Sequence, residues 1–179
     1  NTITRTISIL PVNNSPELSI NTAVLQYTEG SGAKVVAELL NANDVDNTSF
    51  AGAVIEISGN YRPGEDQLSY ENQNEIKSTW DSSVGMLSLS GNSTVANYLT
   101  ALRNIKYLNT SADPDTVQRT VSFTVNDGNS SSNIAERKII VVPVNNAPVV
   151  NNIDTTTVHY TDGGNAVSLL DTIIISDPD

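Results

Sequence analysis

Two aspartates, Asp44 and Asp46, form the pattern in this sequence most suited to chemistry. They follow the apolar run 35–40, so both carboxylates are expected on one short loop. Ca²⁺ binds about six to eight hard oxygen ligands, and carboxylates are its commonest protein ligands. Aspartate also caps turns by accepting hydrogen bonds from nearby backbone N–H groups. The spacing alone is compatible with a calcium ligand pair or with a turn cap.

The usual parts of an enzyme active site are scarce. The chain has one histidine, His159, and no cysteine. The segment 30–32 (GSG) lies outside a strand–helix pattern and therefore does not predict a phosphate loop. The 20 acidic residues leave a glycosidase-type carboxylate pair open by residue type, but no pattern points to one. We predict that the chain is not an enzyme and that His159 is a solvent-facing strand residue.

The composition predicts an acidic β-protein. The net charge of −11 argues against nucleic acid and anionic membranes as partners, and it suits a cation-binding surface or a merely soluble one. No apolar run approaches the ~20 residues of a membrane-spanning helix. Without cysteine, a secreted protein depends on its core, a metal or neighbouring domains for stability. Because the chain starts at Asn1, we expect it to be excised from a longer protein.

An internal repeat organises the chain. RTISILPVNNSP at residues 5–16 returns as RKIIVVPVNNAP at 137–148, an offset of 132. YTEG at 27–30 returns as YTDG at 160–163, and DVD at 44–46 returns as DPD at 177–179, both offset by 133. We therefore predict three parts. They are the last strand and linker of a preceding repeat (1–14), a complete repeat (15–146, the central unit) and the opening strands of a following repeat (147–179).

Strand-like patterns fill the central unit. Valine and phenylalanine alternate with polar residues over 119–125, and the apolar run 35–40 also predicts a strand. Residues 93–105 differ, because their apolar residues recur at helical spacing. We predict a short helix there, capped by Asn92, Ser93 or Thr94 and packed on the sandwich by its apolar face. That face comprises Val95, Tyr98, Leu99, Leu102 and Ile105.

The order of motifs resembles cadherin repeats, in particular the bacterial cadherin-like repeats of large surface proteins and adhesins. The resemblance rests on Glu29 after the first strand, the Asp44-x-Asp46 turn, the Asp81 turn and two later segments, VNDG at 125–128 and VNNAP at 144–148. It implies an all-β fold, a cadherin-like (Ig-like) Greek-key β-sandwich of about seven strands, here with one short helix. The cadherin LDRE motif has no counterpart in this chain.

The resemblance also implies two Ca²⁺ sites, one at each linker. At the N-terminal cluster, Asp44, Asp46 and Asp127 would meet the preceding linker. At the C-terminal cluster, which is the weaker candidate, carboxylates of both units would meet the following linker. Asn14 and Asn146 stand where cadherins carry an acid, so weak calcium binding is expected. The full N-terminal cluster is Asp44, Asp46, Asp127, Asn13 and Asn14, and the C-terminal cluster is Glu29, Asn145, Asn146, Asp177 and Asp179.

The function implied is mechanical: an extracellular structural or adhesion repeat, stiffened by calcium, that extends other domains from a cell surface. Its expected partners are neighbouring repeats of the same chain, with homophilic or polysaccharide contacts as further candidates. The alternative is a carbohydrate-binding module attached to a polysaccharide-acting protein. An exposed row of aromatic side chains would favour that alternative, although Trp80 also suits a partly buried packing role. The candidates are Tyr61, Tyr70, Trp80 and Tyr107.

Overall fold

The computed structural model describes residues 1–151, 155–169 and 173–179. Strands dominate the central unit, and one helix occurs in the described part of the chain. The strands of the central unit are β1 (Glu17–Ser19), β2 (Leu25–Thr28), β3 (Lys34–Val35), β4 (Asn41–Asn43), β5 (Ser49–Gly59), β6 (Asp66–Ser69), β7 (Lys77–Asp81), β8 (Met86–Thr94), β9 (Lys106–Asn109), β10 (Arg119–Asn126) and β11 (Ala135–Val142). Helix α1 spans Val95–Arg103, and β12 (Val149–Asn151) and β13 (Ile174–Ser176) follow the central unit.

The sheets confirm an all-β, sandwich-like fold with one short helix. A six-stranded sheet has the order β2-β11-β10-β5-β8-β7, and a three-stranded sheet has the order β3-β9-β6. Two small ladders, β1-β4 and β12-β13, complete the pairing. Neighbouring strands are antiparallel except β2 and β11, which run parallel. The central unit has eleven strands rather than about seven, because turns split its margins into pieces as short as β3.

The core lies between the two larger sheets. In β10, Val121, Phe123 and Val125 are buried and alternate with half-buried polar residues, as the period of a strand requires. Tyr27 of the six-stranded sheet and Tyr107 of the three-stranded sheet meet edge to face, with ring centroids 5.1 Å apart. Burying such a large apolar side chain contributes about 1.5–3 kcal/mol, so these contacts hold the two sheets together.

Helix α1 packs against β4, β5 and β8, and the prediction of a short helix within 93–105 is confirmed. The Thr94 hydroxyl accepts a hydrogen bond from the Asn97 N–H at 3.2 Å, which caps the first turn. Tyr98, Ala101 and Leu102 are buried. Tyr98 packs against Phe50 with ring centroids 5.9 Å apart, which anchors the helix to β5.

The predicted strand over residues 35–40 is wrong. Only Lys34–Val35 is extended, and the chain then turns, with the Leu40 N–H donating to the Ala37 carbonyl at 3.0 Å. Val36, Ala37 and Leu40 are nevertheless buried. The apolar run therefore indicated burial, which a turn against the core satisfies as well as a strand does.

The N-terminal segment differs from the sheets around it. Residues 1–16 have no regular secondary structure, and residues 1–15 are exposed. Their assignment to a preceding repeat stays a prediction.

No helix in the described part of the chain has the length and apolar character needed to cross a membrane.

Candidate functional site at the linkers

The turn after β4 places Asp44 beside the linker that precedes the central unit. One carboxylate oxygen of Asp44, Oδ1, accepts the backbone N–H groups of Asp46 at 3.1 Å and Asn47 at 2.9 Å. The other oxygen, Oδ2, is buried and has no hydrogen-bond partner among the described residues. Asp44 thus caps its turn through Oδ1, and its Oδ2 is available to a further ligand.

Asp46 contacts the linker directly. Its Oδ2 accepts the backbone N–H of Asn14 at 2.9 Å and the side-chain amide of Asn14 at 3.2 Å. These donors favour the charged carboxylate. The pKa of Asp46 is lowered from its ordinary value of 3.8, chiefly by the Asn14 backbone N–H and to a smaller extent by the Asn14 side-chain amide.

Asp127, in the turn between β10 and β11, both caps its own turn and contacts the linker. Its Oδ1 accepts the backbone N–H groups of Asn129 and Ser130, both at 2.7 Å. Its Oδ2 accepts the side-chain amides of Asn13 at 2.9 Å and Asn47 at 3.2 Å. The pKa of Asp127 is lowered from 3.8, first by the Ser130 backbone N–H and next by the Asn13 amide.

Asn13 connects these loops. Its Oδ1 accepts the side-chain amides of Asn47 at 3.0 Å and Asn129 at 3.2 Å. The structure therefore brings all five residues of the N-terminal cluster into one hydrogen-bonded network. Asn47 and Asn129 belong to that network too, and our sequence analysis missed them. The only local signal was an asparagine one residue after Asp46 and another two residues after Asp127.

The C-terminal cluster is only partly assembled. Glu29 accepts the Val144 N–H through Oε2 at 2.9 Å and the Asn146 side-chain amide through Oε1 at 3.1 Å. Asp179 accepts the Asn146 backbone N–H at 3.1 Å on Oδ1 and 2.9 Å on Oδ2. Among the described residues, the Asn145 side-chain amide donates only to the Asn146 carbonyl, at 2.7 Å. Asp177 is exposed and forms no hydrogen bond to the other described residues of the cluster.

The two clusters differ in how well they suit a cation. Within the described ranges, no group of three or more His, Cys, Asp or Glu side chains could hold a metal ion, so amide or backbone oxygens would have to contribute. The N-terminal cluster offers the unpartnered Asp44 Oδ2 and the Asp46 Oδ1, whose side-chain contact is a long one of 3.4 Å from Asn47. Half a turn of the Asn13 amide would present an oxygen in place of its N–H₂ group. In the C-terminal cluster, N–H donors already occupy both carboxylates that meet the linker.

The aromatic candidates for sugar binding do not form an exposed row. Tyr107 is fully buried and Tyr70 is 8% exposed. Tyr61 and Trp80 are half-buried and meet edge to face, with ring centroids 6.2 Å apart and planes at 83°. Trp80 packs against the core, in line with a packing role. His159 is exposed as predicted but lies outside any strand.

Three local structures occur twice at the repeat distance. The β1–β4 ladder pairs Glu17 with Asn43, and the β12–β13 ladder pairs Val149 with Ser176 in the corresponding register. The turn closed by Ser31 N–H and Thr28 carbonyl at 3.1 Å returns between Gly164 and Thr161 at 2.9 Å. The third is the bond from a linker asparagine N–H to an aspartate, Asn14 to Asp46 and Asn146 to Asp179.

Comparison with known proteins gives one informative likeness. No family model matches the chain. The chain is 28% identical over 112 residues to halomucin of the archaeon Haloquadratum walsbyi. The match covers 60% of this chain but 1% of halomucin, so the chain spans a small fraction of that much longer protein.

Proposed function

We propose that the chain is part of a tandem array of structural repeats in a large extracellular surface protein. The observation that carries this proposal is the recurrence of the same ladder, turn and linker contact at offsets of 132 and 133 residues. The likeness to halomucin, of which the matched segment makes up only 1%, supports a place in a long protein. In such an array the units extend an adhesive or other domain away from the cell.

The linkers have features that suit a stiff spacer. Residues 143–148 connect β11 to β12 and are bounded by Pro143 and Pro148, whose rings fix the backbone φ angle. The linker also donates hydrogen bonds to carboxylates on both sides. A short linker whose backbone has so few accessible conformations fixes the orientation of one unit relative to the next, whereas a flexible glycine-rich linker would not.

The proposal includes Ca²⁺ at the N-terminal cluster. The ligands available as the structure stands would be the carboxylate oxygens Asp44 Oδ2 and Asp46 Oδ1 with amide oxygens of Asn13 and Asn14. Asp127 would join them if its Oδ2 exchanged the side-chain amides of Asn13 and Asn47 for the ion. Such a cation would offset the mutual repulsion of three carboxylates and join the linker to two loops of the central unit. Extracellular calcium modules bind with a Kd of about 10⁻⁴–10⁻³ M, which matches calcium concentrations outside cells.

The spacer proposal is tested by small-angle X-ray scattering on natural segments with increasing numbers of repeats. We expect the maximum dimension to rise by a constant increment with each unit. A dimension that levels off, as in a compact multi-domain particle, would contradict a spacer.

The calcium proposal is tested by thermal unfolding with EGTA and with added Ca²⁺. Binding to the folded state alone stabilises it by RT ln(1 + [Ca²⁺]/Kd), about 2.7 kcal/mol at a hundredfold excess, so the Tm is expected to rise with calcium. Asp127→Asn keeps an oxygen for the turn but removes one charge, and it should reduce the response. Asp81→Asn is the matched control, because Asp81 also caps a turn of the central unit, accepting the Ser83 N–H at 2.9 Å, and belongs to neither cluster. An unmoved wild-type Tm at 10 mM Ca²⁺, about ten times the upper Kd, would remove calcium from the proposal.

A further inference from the structure

Asn146 contacts both sides of the second linker at once. We propose that this asparagine fixes the angle between the central unit and the following unit, with the 177–179 loop as its partner surface and without a metal ion. The inference rests on the proposed spacer function and names the residue that would carry it. The connection depends on two N–H donors of one residue: the side-chain amide of Asn146 donates to the central unit, and its backbone N–H donates to Asp179.

The central unit holds the side chain of Asn146. The amide Nδ2 donates to Glu29 Oε1 at 3.1 Å and to the Ala112 carbonyl at 3.0 Å. Glu29 is itself fixed, because its second oxygen accepts the Val144 N–H at 2.9 Å. Asn146 is half-buried, in contrast to the exposed Asn145 beside it. The side chain is therefore positioned by the end of the central unit.

The following unit holds the backbone of the same residue. The Asn146 N–H lies 3.1 Å from Asp179 Oδ1 and 2.9 Å from Oδ2, so the carboxylate accepts it with both oxygens. A hydrogen bond to an ionised acceptor is roughly twice as strong as one between neutral groups. One residue thus connects Glu29 on one side to Asp179 on the other, through two different groups.

The first linker repeats the backbone half of this arrangement. Asn14, which occupies the place of Asn146 one repeat earlier, donates its N–H to Asp46 Oδ2 at 2.9 Å. Asp46 occupies the place of Asp179. Two independent copies of the contact show that it follows from the repeat sequence and is not a property of one loop.

Asparagine at position 146 can connect the two units, whereas aspartate at that position would not. Aspartate there would lose the Nδ2 donation to Glu29 and to the Ala112 carbonyl, and it would add a negative charge beside two others. Like charges in one site repel unless a cation lies between them. With asparagine, each carboxylate that meets the linker is satisfied by N–H groups of the linker itself.

Spin-label distances test the joint. The chain has no cysteine, so Glu136→Cys in β11 and His159→Cys beyond the linker give two exposed labelling positions across it. We expect double electron–electron resonance to give one narrow distance in EGTA. Asn146→Ala should replace it by a broad range, and so should Asn146→Asp in EGTA. Asn145→Ala is the matched control, because among the described residues the Asn145 side-chain amide donates to the neighbouring Asn146 carbonyl and to no carboxylate of either unit, so it should leave the narrow distance intact.

The outcomes separate this inference from the spacer function. A narrow distance that survives Asn146→Ala, or an equal broadening by Asn145→Ala, would overturn the role of Asn146 and leave the spacer standing. A wild-type distance that is narrow only with Ca²⁺ would overturn the metal-free joint. A broad wild-type distance under both conditions would contradict a stiff spacer altogether. Unchanged thermal unfolding of each variant's central unit would exclude misfolding as the cause, since Asn146 lies outside the core.

Discussion

Arg119 Nε lies 3.1 Å from Asp66 Oδ2, and both side chains are fully buried. The other oxygen of Asp66 accepts the Tyr107 hydroxyl at 2.6 Å and the Asn109 amide at 2.9 Å. Arg119 belongs to β10 of the six-stranded sheet, whereas Asp66 and Tyr107 belong to β6 and β9 of the three-stranded sheet. This buried polar group therefore connects the two layers. Burial, followed by the neighbouring Asp66, raises the pKa of Tyr107, so its hydroxyl stays protonated and donates.

Removing Asp66 should destabilise the unit severely. Asp66→Ala would leave the buried Arg119 guanidinium with only the more distant Glu65 Oε2, at 3.8 Å, as an ion-pair partner. Breaking a buried pair costs about 3–5 kcal/mol, and the remaining Glu65 contact places the expected loss toward the lower end of that range. Urea unfolding measures the loss as a lower midpoint with an unchanged slope. Glu71→Ala is the matched control, because Glu71 is exposed and pairs with Lys106 at 3.5 Å, and such surface pairs contribute about 0–1 kcal/mol. Equal losses of unfolding free energy in the two variants would show that the buried pair contributes no more to stability than the exposed pair.

Gly91 should be intolerant of a side chain. Its φ is +124°, and an added Cβ would lie 2.2 Å from the Glu75 carbonyl oxygen. Gly91→Ala forces β8 away from the 73–76 turn and should lower the Tm strongly. In Gly64→Ala the φ of +87° is also unfavourable but the space is open, so we expect only the left-handed backbone cost of about 1–2 kcal/mol. A larger loss at position 64 than at position 91 would contradict the steric argument.

Acid should loosen the first linker. The pKa values of Asp46 and Asp127 are lowered from 3.8 in the folded state. The ionised carboxylates therefore stabilise the folded state above pH 3.8, and this contribution disappears as the pH falls through the lowered pKa values. We expect NMR titration of the carboxyl carbons to give folded pKa values below 3.8 for both. Asn13→Ala should raise the pKa of Asp127, and Asn14→Ala should raise the pKa of Asp46 by less, because the Asn14 backbone N–H, which is the larger cause, remains. Unchanged values would mean that the linker amides do not bind these carboxylates in solution.

The N-cap of α1 should contribute measurably to stability. Thr94→Ala removes the hydroxyl that accepts the Asn97 N–H, a loss of about 1 kcal/mol, and Thr94→Ser should retain most of it. Thr100→Ala is a control within the same helix. Its exposed hydroxyl only donates back to the Ala96 carbonyl, and alanine is the better helix former. Urea unfolding should therefore separate the two alanine variants, and equal midpoints would contradict the cap.

Local patterns in the sequence determined the fold class, the helix and the presence of a repeat. The alternation over 119–125 and the helical spacing over 93–105 are properties of neighbouring residues, so each could be interpreted without knowing what lies opposite. The same reasoning failed over 35–40, because apolar character reports burial and a buried turn has the same composition as a buried strand. The acids near the linkers were likewise visible, since Asp44, Asp46 and Glu29 stand in recurring motifs.

Tertiary structure alone decided which side chains meet. Asp66 and Arg119 are 53 residues apart and Asn47 and Asp127 are 80 apart, and strand register together with the packing of the sheets brings each pair together. No local pattern encodes such distances, because a shift of one residue along a strand turns every side chain to the opposite face. The sequence placed asparagines in the linkers, but only the folded chain shows that their side-chain amides donate to carboxylates of the central unit and that the Asn146 backbone N–H donates to Asp179.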